Sequence, residues 1–253
     1  MKYPCDFLDK VLCGNCLELM KYIPDGVIDL VLTDPPYGLG KEGIRGDADL
    51  KLFYEVLLEC YRVLKKDAWF LTFFSTKHLP KLFENNPFEY FWQIVLYCPN
   101  GAVSSPIGYT KYMSCFVFKK GNPKIVKRDK DAFVDTPGRA IEPDEGYIDH
   151  PTPKPKRFLM HLLDMFSKEG DVVLDPFLGS GSTAVACILM NRRFIGIEIE
   201  KKYCEMAIRR VEKFLPMKGS GFSLIGDEEH LRKRKGGGKE KSEFSKRIPS
   251  TPP

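Results

Sequence analysis

The chain has 253 residues, of which 43% are hydrophobic and 29% are charged, and it carries a formal net charge of +5. These values suit a globular protein with a substantial core, formed by one large α/β domain or two small ones. No apolar run reaches 18 residues, and the N-terminus MKYPCDFLDK lacks the apolar segment of a signal peptide. We therefore expect no membrane span, no export and a cytoplasmic location.

Apolar periodicity predicts strands and helices that alternate along the chain. The first half is predicted to contain a strand that runs into a helical turn at 11–20, strands at 27–33, 68–74, 89–97 and 111–120, a helix at 47–67 capped by Asp47 or Asp49, and a short helix at 77–85. The second half is predicted to contain helices at 155–170, 182–192 and 201–215, and strands at 171–175 and 193–200. Such alternation is typical of a doubly wound, mostly parallel α/β sheet.

Two segments interrupt this pattern. Residues 121–149 are rich in Pro, Asp and Gly and are predicted to form an irregular insertion between the halves 1–120 and 150–216. Residues 217–253 contain nine Lys/Arg and five Asp/Glu but few apolar residues, so this basic tail is predicted to be disordered. Its LRKRK run is either an electrostatic contact for a polyanion or part of a solubilising tail.

The cysteines are scattered, and in a chain without an export signal we predict that all eight are reduced core residues: Cys5, Cys13, Cys16, Cys60, Cys98, Cys115, Cys187 and Cys204. The first C-x-x-C pair, Cys13 and Cys16, has the spacing of a redox or zinc site. No second C-x-x-C and no nearby His pair completes a tetrahedral zinc set. We therefore interpret the pair as two buried thiols and predict no metal site.

The stretch LDPFLGSGST (174–183) places a glycine-rich turn between a strand that ends at Asp175 and a helix that begins near Ser182. Glycines here would let a ligand approach the backbone closely. The turn is not a phosphate-binding Walker loop, since no Lys follows its last Gly, and it does not fit GxGxxG. Glu198 ends the next strand, where an acid accepts hydrogen bonds from ribose hydroxyls. The pattern indicates a site for an adenosine-containing ligand; an ordinary strand–helix turn with a solvated Glu is the alternative.

A second strand end reads VLTDPPYGLG (31–40) and places an acid, two prolines and an aromatic residue directly after a buried strand. The prolines fix φ and lack N–H donors, so they would hold neighbouring hydrogen-bond acceptors rigidly. Read alone, this stretch is equally well a Pro-rich turn that caps a strand.

Together these motifs resemble the β group of the S-adenosylmethionine-dependent DNA amino-methyltransferases, which methylate the exocyclic nitrogen of adenine or cytosine. TDPPYG resembles their catalytic motif, LDPFLGSGST their cofactor loop, HPTPKPKRF (150–158) the segment before that loop, and FIGIEIEKKYCEMAIRRV their acidic strand end with the helix after it. The catalytic motif precedes the cofactor motif, which is the circularly permuted order of the β group. The resemblance extends from about residue 11 to 215 and implies a Rossmann-like methyltransferase fold, with 1–120 as the catalytic half and 150–216 as the cofactor-binding half.

The resemblance implies specific roles for residues of this chain. The catalytic residues would be Asp34, Pro35, Pro36 and Tyr37, with Asp34 and the Pro35 carbonyl as acceptors for the target amine and Tyr37 stacked on the base. The cofactor-binding residues would be Asn15, Lys154, Asp175, Phe177, Gly179, Ser180, Gly181, Thr183 and Glu198. Where the family has Gly-Asp-Cys, this chain has Gly14-Asn15-Cys16, so the adenine-facing acceptor keeps its oxygen and lacks the charge.

DNA contacts are expected from two regions. The loop Gly38–Asp49 would fold over a flipped base, with Lys41 and Arg45 reaching phosphates. The insertion 121–149 would help to read the recognition sequence. The implied partners are double-stranded DNA, a second copy of the chain in a homodimer, and a cognate restriction enzyme, in a bacterial or phage setting.

Asp rather than Ser at position 34 favours N6 of adenine within this family. Cytosine N4 and an RNA base are the alternatives with the same chemistry. A non-catalytic nucleic-acid-binding relative is the alternative from another class, suggested by Asn15. A Rossmann oxidoreductase is disfavoured because GxGxxG is missing.

Overall fold

The structure, a computed structural model, describes residues 1–36, 50–99, 103–105, 108–134, 141–142, 145–151 and 153–217, all of them within the compact unit Met1–Gly221. Several positions predicted from the sequence lie outside these ranges: Tyr37, Lys41 and Arg45, the cap candidates Asp47 and Asp49, and the tail beyond residue 217.

The strands are β1 (Lys10–Cys13), β2 (Ile28–Thr33), β3 (Leu64–Phe73), β4 (Glu89–Tyr97), β5 (Val103–Ser105), β6 (Gly108–Thr110), β7 (Tyr112–Lys120), β8 (Ala132–Val134), β9 (Ile141–Glu142), β10 (Gly146–Tyr147), β11 (Val172–Asp175) and β12 (Arg193–Glu198). The helices are α1 (Cys16–Met20), α2 (Lys51–Val63), α3 (Leu79–Phe83), α4 (Lys156–Phe166), α5 (Ser182–Leu189) and α6 (Lys201–Phe214). Within the described ranges no helix is long and apolar enough to cross a membrane.

The main sheet has the strand order β1-β12-β11-β2-β3-β7-β4-β8. The five strands from β1 to β3 are parallel, β7 is antiparallel to β3 and to β4, and β8 is parallel to β4. This confirms the predicted doubly wound, mostly parallel α/β fold. The hairpins β5–β6 and β9–β10 form two small sheets of their own.

Helices cover both faces of the sheet, because successive side chains of a buried strand point to opposite faces. In β2, Leu30 and Leu32 pack in the hydrophobic cluster that contains α4, α5 and α6, whereas Val31 packs in the cluster that contains α1 and α2. The sheet edge where the parallel strands end is therefore held between two packed layers.

Several predicted elements differ from the structure in their bounds or regularity. Helix α2 ends at Val63, earlier than predicted, because Leu64 is extended and pairs with Ile28 as the first residue of β3. Helix α4 ends at Phe166 rather than at Gly170. The insertion is less irregular than predicted, since it contains β8, which extends the main sheet beside β4.

The prediction for the cysteines was correct for five residues that are buried thiols: Cys16, Cys60, Cys98, Cys115 and Cys187. It was wrong for Cys5, which is exposed, and for Cys13 and Cys204, which form a disulfide. The pairing follows from topology, because α6 packs on β1 and brings the two Cα atoms to 5.8 Å, within the usual range for a disulfide.

Candidate active site at the carboxyl edge of the sheet

The two strand ends singled out in the sequence are neighbours in space. Strands β2 and β11 pair side by side, and the chain leaves β2 toward β3 but leaves β11 toward β12, on the opposite side. This reversal is a topological switch point, where open α/β sheets bind ligands. Thr33, the last residue of β2, donates a hydrogen bond from its hydroxyl to Asp175 Oδ1 at 2.8 Å. Thr33, Pro35 and Phe177 also line a common apolar pocket with residues of α2.

Asp34 follows directly after β2 and carries a cation partner. The Lys154 ammonium forms an ion pair with its carboxylate and lies 5.0 Å from the centre of the Phe73 ring. Pro35 and Pro36 are both buried and fix the backbone after the acid. The structure thus brings Lys154, which the sequence predicted on the cofactor side, to the predicted catalytic acid.

Asp175 lies beneath the glycine-rich loop and joins several of its parts. It is 3% exposed, and besides Thr33 it accepts hydrogen bonds from the Phe177 amide and the Thr183 hydroxyl. Burial is the largest cause that raises the pKa of Asp175, and the nearby charge of Asp34 adds to it, while these three hydrogen bonds lower it; the net pKa is about 6. The Asp175 carboxylate thus links the glycine-rich loop to the end of β2.

Glu198, at the end of β12, binds the same loop from the other side. Its Oε2 accepts a hydrogen bond from the Gly179 amide at 2.8 Å, and its Oε1 accepts one from the Glu200 amide at 2.8 Å. Burial raises the pKa of Glu198, and these backbone hydrogen bonds oppose the rise. A carboxylate has about four lone-pair sites, so Glu198 retains acceptor capacity for a hydroxyl group of a ligand.

The two loop glycines have positive φ angles, +55° at Gly179 and +87° at Gly181. A Cβ at Gly181 would lie 2.9 Å from Ala207 Cβ on α6, and a Cβ at Gly179 would lie 3.1 Å from His150 Nε2. Both glycines therefore also serve close packing within the chain. Small polar side chains in and after the turn are buried as well: Ser180, Ser182 and Thr183.

Asn15 begins α1 at the end of β1 and lies beside the end of β12. Its Oδ1 caps the helix by accepting a hydrogen bond from the Leu17 amide at 2.9 Å. The preceding Gly14 amide donates to the Glu198 carbonyl at 2.9 Å, which fixes the two strand ends together. The structure thus places Asn15 and Glu198 at the ends of two paired strands, and their role in cofactor binding stays a prediction.

Two residues of the site were missed in the sequence. Thr33 gives no signal of its own before the partner strand is known. Arg210 offered one: it lies in the buried stripe of α6 with Tyr203, Ala207 and Phe214, at helical spacing, where a charged residue needs a specific partner.

His150 packs edge-on against Tyr203 with ring centres 4.5 Å apart. Burial is the largest cause that lowers the pKa of His150, the positive charges of Lys154, Arg210 and Lys202 add to it, and Asp149 opposes them; the net pKa is about 4. At neutral pH the imidazole is therefore uncharged, a neutral group beside the loop.

The sheet is doubly wound, and its switch point brings together two strand-end acids and a glycine-rich turn. These features are typical of a Rossmann-like domain with a site for a nucleotide-type ligand. Comparison with known proteins assigns the family. A DNA methylase family profile, that of the N6/N4 methyltransferases, matches residues 28–209, well over half of the chain. The chain belongs to this family of DNA methyltransferases.

Individual relatives agree with this assignment. The chain is 30% identical to the DNA adenine methyltransferase YhdJ of Escherichia coli (strain K12), over 80% of this chain and 82% of that protein. Its fold is similar to that of M1.HpyAVI, solved as a complex with SAM, with a TM-score of 0.65, 24% identity and coverage of 80% of this chain and 98% of the other. It is also similar to the cytosine-N4-specific PvuII DNA methyltransferase, with a TM-score of 0.64, 19% identity and coverage of 82% and 90%.

Proposed function

We propose that this chain transfers a methyl group from S-adenosylmethionine to the exocyclic N6 of adenine in double-stranded DNA. The observation that carries the proposal is the hydrogen bond between Thr33 and Asp175, because it fixes the amine-binding strand end and the cofactor loop side by side. Membership of the DNA methylase family supports the reaction type, and Asp at position 34 supports adenine as the base.

The residues at the loop fit an adenosine-containing methyl donor. Glu198 offers carboxylate oxygens for ribose hydroxyls, and Asn15 offers an amide oxygen for the adenine amino group. Gly179 and Gly181 bring bare backbone to the same edge. When bound, S-adenosylmethionine supplies an electrophilic methyl group on a sulfonium sulfur for direct transfer to nitrogen.

Asp34 and Pro35 would prepare the target nitrogen. The lone pair of an exocyclic amine is delocalised into the aromatic ring, so the amine is a weak nucleophile. Hydrogen bonds from the amine to the Asp34 carboxylate and the Pro35 carbonyl would favour a pyramidal nitrogen with a localised lone pair. The base must leave the duplex to reach them, so base flipping is part of the proposal. Catalysis then comes from positioning and electrostatics rather than from a covalent enzyme intermediate.

The ion pair between Lys154 and Asp34 also bears on how the target nitrogen is prepared. A carboxylate oxygen can accept more than one hydrogen bond, so the amine and the ammonium can share Asp34. Lys154 holds the acid in place before the base arrives and keeps a positive charge beside the reacting nitrogen. The nitrogen gives up one proton in the reaction, and Asp34 is the carboxylate positioned to accept it.

The test is nucleoside analysis by mass spectrometry of unmethylated DNA incubated with the protein and S-adenosylmethionine. We expect N6-methyladenine with the wild type and none with Asp34→Ala. N4-methylcytosine would correct the base and keep the mechanism. Unmethylated DNA with methylated RNA would move the substrate to RNA, and no methylated product with either nucleic acid would refute the enzymatic proposal. The homodimer, the restriction partner and the cytoplasmic location stay predictions.

A further inference from the structure

A buried cluster of charges lies between the insertion and the cofactor loop. Glu145, beside the β9–β10 hairpin, accepts two hydrogen bonds from the Arg210 guanidinium, at 2.6 Å to Oε2 and 3.0 Å to Oε1. Lys156, at the start of α4, donates a third to Oε1 at 3.0 Å. All three side chains are less than a tenth exposed. Helix α4, helix α6 and the insertion thus meet at the carboxylate of Glu145.

The other side of the same guanidinium binds the cofactor loop. Arg210 Nη1 donates to the Ser180 carbonyl at 2.7 Å, and the hydroxyl oxygens of Ser180 and Ser182 each lie 3.2 Å from it. Ser180 stands between the two positive-φ glycines, and Ser182 begins α5. The guanidinium is planar and rigid, so a carboxylate that fixes one edge of it also fixes the edge that binds the loop.

The segment that carries Glu145 reaches the loop a second time. Five residues later His150 packs on Tyr203 of α6, and its Nε2 lies 3.1 Å from where a Cβ of Gly179 would be. The stretch 145–150 therefore contacts the loop directly at Gly179 and indirectly at Ser180. Both contacts restrict the same turn.

The energetics favour a positioning role over a gain in stability. Burial alone would raise the pKa of Glu145, but the hydrogen bonds and charges of Arg210 and Lys156 outweigh burial and lower it. The carboxylate is therefore ionised at neutral pH and compensated by two cations. A buried ion pair of this kind roughly recovers its desolvation cost, whereas removing one partner leaves a charge without compensation. What the cluster adds is a defined geometry.

We propose that Arg210 is a positioning residue of the methyl-donor site, and that Glu145 acts on the cofactor loop through Arg210. This rests on the proposed function, since the loop must bind S-adenosylmethionine for its geometry to matter. Neither side chain is proposed as a catalytic residue, because neither contacts Asp34 in the described structure and Arg210 acts on the loop through Ser180 and Ser182.

The test is a double-mutant cycle with the dissociation constant for S-adenosylmethionine, measured by calorimetry, as the readout. We expect Arg210→Met to weaken binding about tenfold, as for one lost charge-assisted hydrogen bond. We expect Glu145→Gln to weaken it severalfold, and the double variant to match Arg210→Met alone. The KM for S-adenosylmethionine should rise in step with the dissociation constant, and the fall in kcat should be smaller than the loss of affinity, because uniform binding is the main loss.

Arg192→Met is the matched control. Arg192 is also buried and bonds to Ser167, Leu163 and Met190, but none of these residues belongs to the cofactor loop. Its variant should lose thermal stability without a change in the dissociation constant.

Each contrary result has a distinct meaning. Wild type that does not bind S-adenosylmethionine overturns the proposed function, and the inference with it. Wild type that binds while Arg210→Met binds equally well overturns the inference alone. Additive effects of the two substitutions overturn the action of Glu145 through Arg210. If Arg210→Met does not fold, Glu145→Gln decides: an unchanged dissociation constant overturns the inference and a weakened one supports it.

Discussion

The chain contains two Asp-Pro strand ends on neighbouring strands, and their environments are opposite. Asp34 after β2 has a side chain that is 21% exposed and carries the Lys154 ammonium. Asp175, the last residue of β11, is 3% exposed and accepts hydrogen bonds from neutral hydroxyl and amide donors. The same dipeptide at the same sheet edge thus produces one acid that can meet a ligand and one that supports the loop beside it.

Both carboxylates lie at the switch point, so position alone does not assign their roles. What separates the two acids is the partner that surrounds each of them. The Lys154 ammonium pairs with the Asp34 carboxylate, whereas burial disfavours the charged form of Asp175.

The largest effect is expected at Asp34, the less buried of the two acids. Asp34→Asn keeps the shape of the side chain but removes the charge that accepts from the amine, so we expect kcat to fall about 10³-fold. The dissociation constant for S-adenosylmethionine should change by less than about twofold, because the loop is held by other residues. Single-turnover methyl transfer and calorimetry measure the two quantities. An equal loss of cofactor affinity would mean that Asp34 belongs to the cofactor site, and the contrast between the acids would fail.

Asp175 should instead affect how the free energy of unfolding depends on pH. The folded pKa of Asp175 is about 6 against an ordinary value of 3.8, so the folded state binds more protons than the unfolded state between these pH values. Stability from this group is therefore present at low pH and declines as pH rises through that window. The full decline is about 3 kcal/mol.

Denaturation of wild type and Asp175→Asn at several pH values isolates this contribution. We expect the free energy of unfolding of wild type, minus that of the variant, to fall as pH rises from about 4 to 7. Other carboxylates cancel in the difference. A difference that rises with pH would show that Asp175 is stabilised as the anion, like a ligand-facing acid.

On the loop side, Glu198→Ala should weaken cofactor binding about 50-fold, since two backbone amides lose their acceptor and ribose hydroxyls lose theirs. Glu205→Ala on α6 is the control, because Glu205 is half exposed and pairs only with Lys201 among its described contacts. Titration calorimetry of both variants checks the prediction. Equal affinities would mean that Glu198 is a support residue like Asp175.

The strand ends and their motifs could be predicted because the relevant signals are local. Runs of apolar residues predict the buried strands, and an acid, prolines or glycines mark the positions where the strands end. Once the strands are recognised as parallel, their carboxyl ends must share an edge, which brings Asp34, Asp175 and Glu198 together.

The contacts between these elements could not be predicted. Lys154 and Asp34 are 120 residues apart, and Arg210 and Glu145 are 65 apart. No periodicity or short motif predicts such a pair, because the pair forms only through the three-dimensional path of the segments that connect the strands and helices. For the same reason β8 was missed: three residues within a Pro-rich segment become a strand only because the edge of β4 is available for pairing.

The smallest effect is expected at the loop backbone. A comparison of Gly181 with Gly26 separates the cost of helix packing from the cost of backbone strain. Gly181 and Gly26 have similar φ angles, +87° and +66°, but a Cβ at Gly181 would lie 2.9 Å from Ala207 Cβ, while a Cβ at Gly26 would meet nothing within 4 Å. Gly26→Ala should therefore cost about 1 kcal/mol, which is the backbone strain alone. Gly181→Ala should cost about 1–2 kcal/mol more, because α5 and α6 must separate. Chemical denaturation of both variants measures the difference. Equal costs would mean that α6 moves freely, and that the loop is then held by Glu198 and Asp175 rather than by helix packing.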